Sequence, residues 1–481
     1  MVHPAIVEPD AEILARRDQI VKKLKKLAPD AVLITDEEGR RTYETDALTA
    51  YRCLPLAVVL PGTTEEVSRI MRYCWDNNIK VVPRGAGTSL CGGALPSADS
   101  IVICVSRMNK LLAIDEVNRT ARVETGITNL AISQQAAPRG FFYAPDPSSQ
   151  LACTLAGNIA MNSGGAHCLK YGVTVNNILG MKVVLVSGEV VELGGDHLDS
   201  PGYDLMALLT GSEGQLAIVT EATVRLLKMP ETARPMLLAF PSSESAGACV
   251  AGIIAAGIVP VAIEFMDKPA IHVCENYAHA GYPLDAEAIL IVEVEGSEEE
   301  VAWLLEKIEE IASEYDLLQS RVSQSAEESE AIWRGRKAAF GAIGQISDYF
   351  CMDGVIPVSK LPEALARVSK IAASYGLDVA NIFHAGDGNL HPLILYDSSD
   401  EEQLERAEAC GADILKACVE LGGCLTGEHG VGVEKRDLMS WQYGPADLLQ
   451  MTRLKDLFDP QWQLNPDKVF PREARSGSGA G

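Results

Sequence analysis

The sequence predicts an α+β protein with two large domains, and three observations predict it. In the first half, short apolar runs alternate with glycine-rich loops. Between Met229 and Pro235 the stretch Met-Pro-Glu-Thr-Ala-Arg-Pro interrupts that pattern. Beyond it, apolar runs alternate with long amphipathic segments, which suggests an antiparallel sheet covered by helices on one face. At 481 residues the chain exceeds one ordinary core, so two or three domains are expected. The divisions read from the chain are a helical extension over 1–50, one domain over 51–230, a second over 231–440, a C-terminal segment over 441–475 that returns to the first domain, and a flexible tail over 476–481.

Glu12 to Leu27 has helical spacing with a Lys-rich face and reads as a solvated helix. Pro55 to Leu60 reads as a strand, followed by a helix that Thr63 or Thr64 caps and that carries Val67, Ile70, Met71 and Cys74 on one face. Ile79 to Val82, Ile101 to Val105, Leu112 to Ile114 and Arg122 to Glu124 are further strands. Met181 to Val186 and Val190 to Leu193 form a hairpin across Ser187-Gly188-Glu189, and Leu216 to Leu226 is another strand. In the second half, strand-like runs at Val261 to Met266, Ala288 to Val294, Cys351 to Ile356 and Asp378 to His384 are separated by helices that include Ser297 to Tyr315, Lys360 to Tyr375 and Glu401 to Leu421. A last helix spans Asp447 to Phe458.

The composition is that of a globular protein, with 47% hydrophobic and 22% charged residues. Lys and Arg total 41 against 66 Asp and Glu, a net charge of −25. That balance argues against nucleic acid and anionic membrane surfaces as partners, since both select basic patches. The 12 cysteines are scattered without a CxxC, and Cys410, Cys418 and Cys424 do not match iron–sulfur spacing, so they read as buried thiols in a reducing compartment. With neither a signal-peptide pattern nor an apolar run of membrane-spanning length, a cytoplasmic location is expected.

Three loops carry unusual chemistry. Val82-Pro-Arg-Gly85-Ala-Gly-Thr-Ser89 follows a strand, and its backbone N–H groups suit an anion. Leu90 stands where a GxGxxG would need glycine, and Gly92 is followed by Gly93 where a P-loop needs lysine. Taken alone, this loop reads equally as a phosphate cradle or as a tight turn. Ala144-Pro-Asp-Pro-Ser-Ser149 with Thr154-Leu-Ala-Gly157-Asn…Asn162-Ser-Gly-Gly165, and Leu209-Thr-Gly-Ser-Glu-Gly214…Ile218, repeat the theme of small residues and hydroxyls between strands. All three in this order point to one large flat ligand.

Near the C-terminal third, Asn381-Ile-Phe-His384-Ala-Gly-Asp387-Gly388-Asn-Leu-His391 reads as a hairpin turning on Asp-Gly, which places His384 directly opposite His391. Opposed residues hold their Cβ atoms roughly 5 Å apart on one side, which suits two imidazoles on one ion. A stable site needs a third ligand, and Gly-Glu428-His429-Gly supplies Glu428. Neighbours on an extended chain point oppositely, so Glu428 coordinates while His429 faces the substrate. The alternative is ordinary core or surface histidines, but three of the eight histidines fall in these two motifs.

Pro-Arg-Gly-Ala-Gly-Thr-Ser, Pro-Asp-Pro-Ser-Ser, Gly-Asn…Asn-Ser-Gly-Gly and Gly-Ser-Glu-Gly, in that order, resemble the FAD-binding domain of vanillyl-alcohol oxidase/p-cresol methylhydroxylase flavoproteins. From about Leu54 to Phe470 the chain is similar to the flavin subunits of glycolate oxidases, with D-lactate and D-2-hydroxyglutarate dehydrogenases as near relatives. The resemblance implies a two-subdomain FAD-binding domain over 51–230, and an α+β cap domain with an antiparallel sheet that carries the metal site. It implies FAD contacts from Arg84, Gly85, Ala86, Gly87, Thr88 and Ser89. Further contacts would come from Pro145, Asp146, Ser149, Thr154, Gly157, Asn158, Ser163, Gly164, Gly214 and Ile218. Thr88 stands where some members carry the histidine that bonds FAD, so non-covalent FAD is expected.

In similar 2-hydroxy acid dehydrogenases the positions of His384, His391 and Glu428 hold one divalent metal (zinc, manganese or iron), and the position of His429 is the proposed base. Trp333-Arg-Gly-Arg336-Lys337 read alone is a solvated basic patch. The resemblance makes Arg336 the clamp for the substrate carboxylate, with Lys337 as its alternate and Asn389 as an orienting group. The implied reaction is metal-assisted hydroxyl deprotonation with hydride transfer to flavin. Phe340 and Cys351 replace the Thr and Lys that similar D-2-hydroxyglutarate dehydrogenases use for a distal carboxylate, so glycolate or D-lactate is the expected substrate. Electrons would leave to partner subunits, a quinone or another acceptor, and partner subunits would supply any membrane association. A metal-dependent hydrolase on the same His and Glu residues is the remote alternative, and it leaves the three loops unexplained.

Overall fold

The structure, a computed structural model, describes residues 8–197 and 202–472, so the expected flexible tail at 476–481 lies outside it. Two compact units are present. The first comprises Met1–Gly164, Gly172–Met229 and Glu428–Gly481, and the second comprises Gly165–Tyr171 and Pro230–Gly427.

The first unit contains two sheets. One has the strand order Val32–Ile34, Ala57–Leu60, Ser100–Cys104, Lys80–Arg84, and its last three strands are parallel. The other is antiparallel, in the order Leu111–Asp115, Thr120–Glu124, Ala217–Arg225, Ile178–Leu185, Val190–Gly194. The helix Thr64–Asp76 starts at Thr63, whose side chain accepts from Glu66 N. It buries Val67, Ile70, Met71 and Cys74 against the first sheet. Each apolar side chain fully buried there contributes about 1.5–3 kcal/mol.

The N-terminal segment is not a separate extension. Its helix is broken into Ala11–Ala15 and Arg17–Leu27, and Ile13, Ile20 and Leu24 enter the core of the first sheet while the lysines stay outside. Val32–Ile34 adds an antiparallel edge strand to Ala57–Leu60. At the other edge the C-terminal segment bridges through Leu464 to Val81. The sequence division 231–440 also differs from the observed units, which assign Glu428 onward to the first. Val431 and Gly432 donate to the Glu213 carboxylate at 2.6 and 2.8 Å, which ties that segment in.

The second unit is built on an antiparallel sheet in the order Gln319–Val322, Thr232–Phe240, Ala288–Gly296, Ala262–Asp267, Val379–His384, Asn389–Leu390, Gly354–Val355. Pro392–Tyr396 also pairs with Val379–His384. Helices cover both faces, not one. Met236, Leu238 and Phe240 pack with the helices Ser243–Ala255, Glu298–Ala312 and Leu361–Tyr375, whereas Leu237 and Ala239 pack with Lys268–Ala278 and Ala326–Gly344. A strand buried on both faces loses the polar alternation that marks a solvated face.

The stretch taken as an interruption holds the start of Thr232–Phe240. Pro235 is tolerated because Gln319–Val322 pairs only with Met236 to Ala239, leaving the proline beyond the end of the edge strand. Among the described residues, no helix is long and apolar enough to cross a membrane.

Candidate active site

In the first unit the glycine-rich loops converge. The strand Lys80–Arg84 runs into the first loop at its carboxyl end, where parallel sheets open their ligand crevices. A Cβ on Gly85 would lie 2.2 Å from Thr154 Oγ1 and 3.3 Å from the Gly157 amide nitrogen, so the first and second loops meet backbone to backbone. Thr154 caps the helix Leu155–Met161 by accepting from Gly157 N. Gly211 and Glu213 donate to the Ile159 and Ala160 carbonyls, each at 2.8 Å, which brings the third loop to the same helix.

Thr88, Ser89, Asp146, Ser149, Gly157 and Ser163 are half-buried and Ala86 is exposed, while Pro145, Asn158, Gly164 and Gly214 are buried. Arg84 is turned beneath the loop. Its guanidinium donates to the Thr45 carbonyl at 2.8 Å and lies over the Tyr43 ring. It fills the space under Gly87, whose φ of +76° puts it in the left-handed region. Burial lowers the Arg84 pKa. Ile218 sits in the strand Ala217–Arg225 with its side chain in the hydrophobic core.

The Glu-His motif belongs to the same unit. Gly164 N donates to Glu428 Oε2 at 3.2 Å, and Cys91 Sγ donates to the His429 carbonyl at 3.1 Å. A Cβ on Gly430, at φ +87°, would lie 2.8 Å from Met161 Sδ and 2.9 Å from Glu213 Oε1. Both motif residues are thus fastened to the first and second loops.

In the second unit the hairpin turns differently from the two-residue Asp-Gly reading. His384 pairs with Asn389 and Asn381 with Pro392, so the connection is residues 385–388 and His391 lies two residues beyond direct opposition. The neighbouring strand is the cause. Ala385 and Gly386 both donate to the Ile263 carbonyl, at 2.7 and 3.1 Å, which holds them straight before the turn. Gly388, at φ +76°, passes so close to the Ile356 carbonyl that a Cβ would lie 2.1 Å from it.

A shift of two residues preserves the face, so the imidazoles become diagonal neighbours. Their ring centroids are 5.2 Å apart with planes at 88°. A ring nitrogen of one lies within 4.8 Å of one on the other.

Buried carboxylates stand behind both rings. Glu264 is directly opposite His384 in sheet register, and its Oε1 is 2.7 Å from His384 Nδ1. Its Oε2 is held by Arg336, through Nε at 2.7 Å and Nη2 at 2.6 Å. Burial alone would raise the Glu264 carboxyl, but Arg336 and His384 outweigh it and keep its pKa below the ordinary glutamate range. His391 Nδ1 is 3.4 Å from the Met352 carbonyl and 3.9 Å from Asp353 Oδ1. The other oxygen of Asp353 accepts from Thr426 Oγ1 and Gly427 N.

Arg336, expected at the substrate carboxylate, therefore spends one edge of its guanidinium on Glu264. Lys337 is exposed and lies over the Trp333 ring. Asn389 is buried, and its side-chain oxygen has no hydrogen-bond partner. Phe340 stands edge-on to His391 at 6.4 Å, and Cys351 Sγ lies within 4.8 Å of a His391 ring nitrogen.

The profile of the FAD binding domain matches residues 55–194, and that of the C-terminal domain of FAD linked oxidases matches residues 229–469. The glycolate oxidase subunit GlcD of Escherichia coli (strain K12) is 47% identical over 456 residues, covering 95% of this chain and 91% of the relative. The chain belongs to the FAD-linked oxidase family. A D-lactate dehydrogenase of Archaeoglobus fulgidus is 33% identical over 438 residues, covering 90% of this chain and 95% of the relative. The crystal structure of p-cresol methylhydroxylase with substrate bound matches with a TM-score of 0.80 at 18% identity, covering 96% of this chain and 97% of that one. It shares the fold.

This FAD-linked oxidase is an FAD-dependent enzyme of the 2-hydroxy acid oxidase/dehydrogenase type. Its loops fit the cofactor, because a diphosphate is held by converging backbone N–H groups, and Gly85, without a Cβ, lets the first loop lie directly against Thr154 and the Gly157 amide of the second. Gly85→Val is expected to push the first two loops apart and yield protein without flavin absorbance, and stoichiometric FAD in that variant would exclude this loop as the cradle. Two buried imidazoles with Nδ1 occupied fit the donor chemistry of a divalent ion.

Glu264 and Asp353 escaped the sequence reading, although a signal was there. Each is a lone carboxylate within an apolar run, Val261 to Met266 and Cys351 to Ile356. A buried charge needs a partner.

Proposed function

We propose that the enzyme oxidises a small D-2-hydroxy acid, glycolate foremost, to the 2-oxo acid. The observation that carries this reading is the diagonal His384–His391 pair, with Glu264 and Asp353 behind it. His384, His391 and Glu428 hold one divalent metal, either zinc, manganese or iron. Gly427, the residue before Glu428, is held by Asp353 and packs against Asn389, and this supports the assignment of Glu428 as the third ligand. Gly85 to Ser89, Pro145, Asp146, Ser149, Thr154, Gly157, Asn158, Ser163, Gly164 and Gly214 hold FAD non-covalently, with Arg84 as the brace beneath the first loop, while Ile218 keeps its side chain in the core.

Arg336, through the part of its guanidinium that Glu264 leaves, attracts the substrate carboxylate, and Asn389 orients the substrate. His429 takes the hydroxyl proton. When bound, the metal supplies Lewis acidity toward that hydroxyl and FAD supplies the oxidant. Phe340 and Cys351 place uncharged groups beside His391, which favours a small monocarboxylate over a substrate with a second carboxylate. The relative named as a glycolate oxidase subunit supports glycolate and supports partner subunits as electron acceptors, with a quinone or another acceptor as the alternatives. The relatives named as D-lactate dehydrogenases make D-lactate the second reading.

Anaerobic bleaching of the flavin against a panel of D- and L-2-hydroxy acids, with metal analysis of the same sample, tests this. Bleaching is expected with glycolate and, more slowly, with D-lactate, but not with L-lactate or D-2-hydroxyglutarate. Bleaching by none of them would overturn the reaction class, and fastest bleaching by D-2-hydroxyglutarate would overturn the small-substrate assignment. Turnover with a dye acceptor but not with oxygen is expected.

A further inference from the structure

We infer that Glu264 is a positioning residue that couples the metal-binding imidazole of His384 to Arg336, so that ion binding depends on both. The inference deepens the proposed function and rests on its metal site. Glu264 lies mid-strand in Ala262–Asp267, is 1% exposed, and faces His384 across the sheet. Its two oxygens serve different partners: Oε1 meets His384 Nδ1, and Oε2 meets Nε and Nη2 of Arg336, which arrives from the helix Ala326–Gly344.

Arg–carboxylate pairs are frequently bidentate, with both carboxylate oxygens turned to the guanidinium in a fork. Here one oxygen is diverted to an imidazole. A carboxylate at Nδ1 fixes the tautomer with Nε2 as the ligand atom and makes that nitrogen more basic. The guanidinium neutralises the carboxylate, so the imidazole is oriented without a second uncompensated charge in the core. Arg336 does not touch either histidine through any hydrogen bond or ion pair observed. Its bonded link to His384 is Glu264, and Arg336→Lys keeps the positive charge while altering that link.

The test uses the purified FAD-loaded full chain and its Glu264→Gln, Glu264→Asp and Arg336→Lys variants. Zn2+ and Mn2+ affinities are measured by chelator competition, alongside FAD stoichiometry and melting temperature. Glu264→Gln and Arg336→Lys are each expected to lose roughly 10–100-fold in metal affinity with full FAD content. Glu264→Asp, which keeps the charge on a shorter stem, is expected to recover part of that loss. Folded Glu264→Gln and Glu264→Asp with wild-type metal affinity would overturn the inference, because a purely structural pair lowers melting temperature without changing the affinity of the folded protein. If the wild-type chain itself takes up neither of these ions nor Fe2+, the metal site beneath the inference falls, and the inference falls with it.

Discussion

His391→Ala is expected to abolish metal uptake and lower kcat/KM by roughly 10^3-fold or more, because Lewis-acid stabilisation is worth several kcal/mol in a transition state. FAD should remain bound, since the three loops proposed to cradle it are held by one another in the first unit. His384→Ala should behave alike, and the double variant should cost little more than either single one, since both are proposed to hold one ion. Treatment of the wild-type enzyme with a chelator should reproduce the loss, and added ion should restore it only in the wild type. Flavin bleaching at the wild-type rate in metal-free His391→Ala would remove the ion from the reaction. Some loss of stability accompanies the substitution, because His391 is packed edge-on by Phe340 and leaves a cavity.

His429→Asn is the second large effect. A positioned general base contributes typically 10^2–10^4-fold, so kcat should fall by about that factor while FAD and metal contents stay at wild-type levels. The fold should tolerate the change, because the bond that His429 makes with Cys91 goes through the main-chain carbonyl and survives a new side chain. Residual activity should rise with pH as hydroxide takes over the proton transfer. An unchanged rate of flavin bleaching would discharge His429 from the role of base.

Much of the first unit was legible in the sequence because its information is local. A cap, a glycine-rich loop at a strand end and an amphipathic helix each depend on residues a few positions apart. Thr63, Val67, Ile70 and Met71 therefore read true without knowledge of anything distant. The N-terminal helix was harder. Its lysines advertised solvent, and its buried Ile20 and Leu24 show their purpose only against the sheet they cover.

The hairpin marks the boundary between the two kinds of information. The parity of His384 and His391 is a property of strand pleating, and so survived a misjudged turn. The length of the turn was set by Ile263 on a neighbouring strand, which no short-range rule contains.

The sequence by itself determined the class of fold and the FAD-linked family, and it singled out His384, His391 and Glu428 as candidate ligands. Their side-chain types and short spacings are chemistry that persists in any folded form. Only the tertiary structure decided what stands behind those residues. Glu264 reaches His384 across 120 positions of chain, and Arg336 reaches Glu264 across 72. Such partners meet only when sheet register and helix packing bring distant segments together. The burial that makes a carboxylate's partner indispensable is likewise a product of the whole fold.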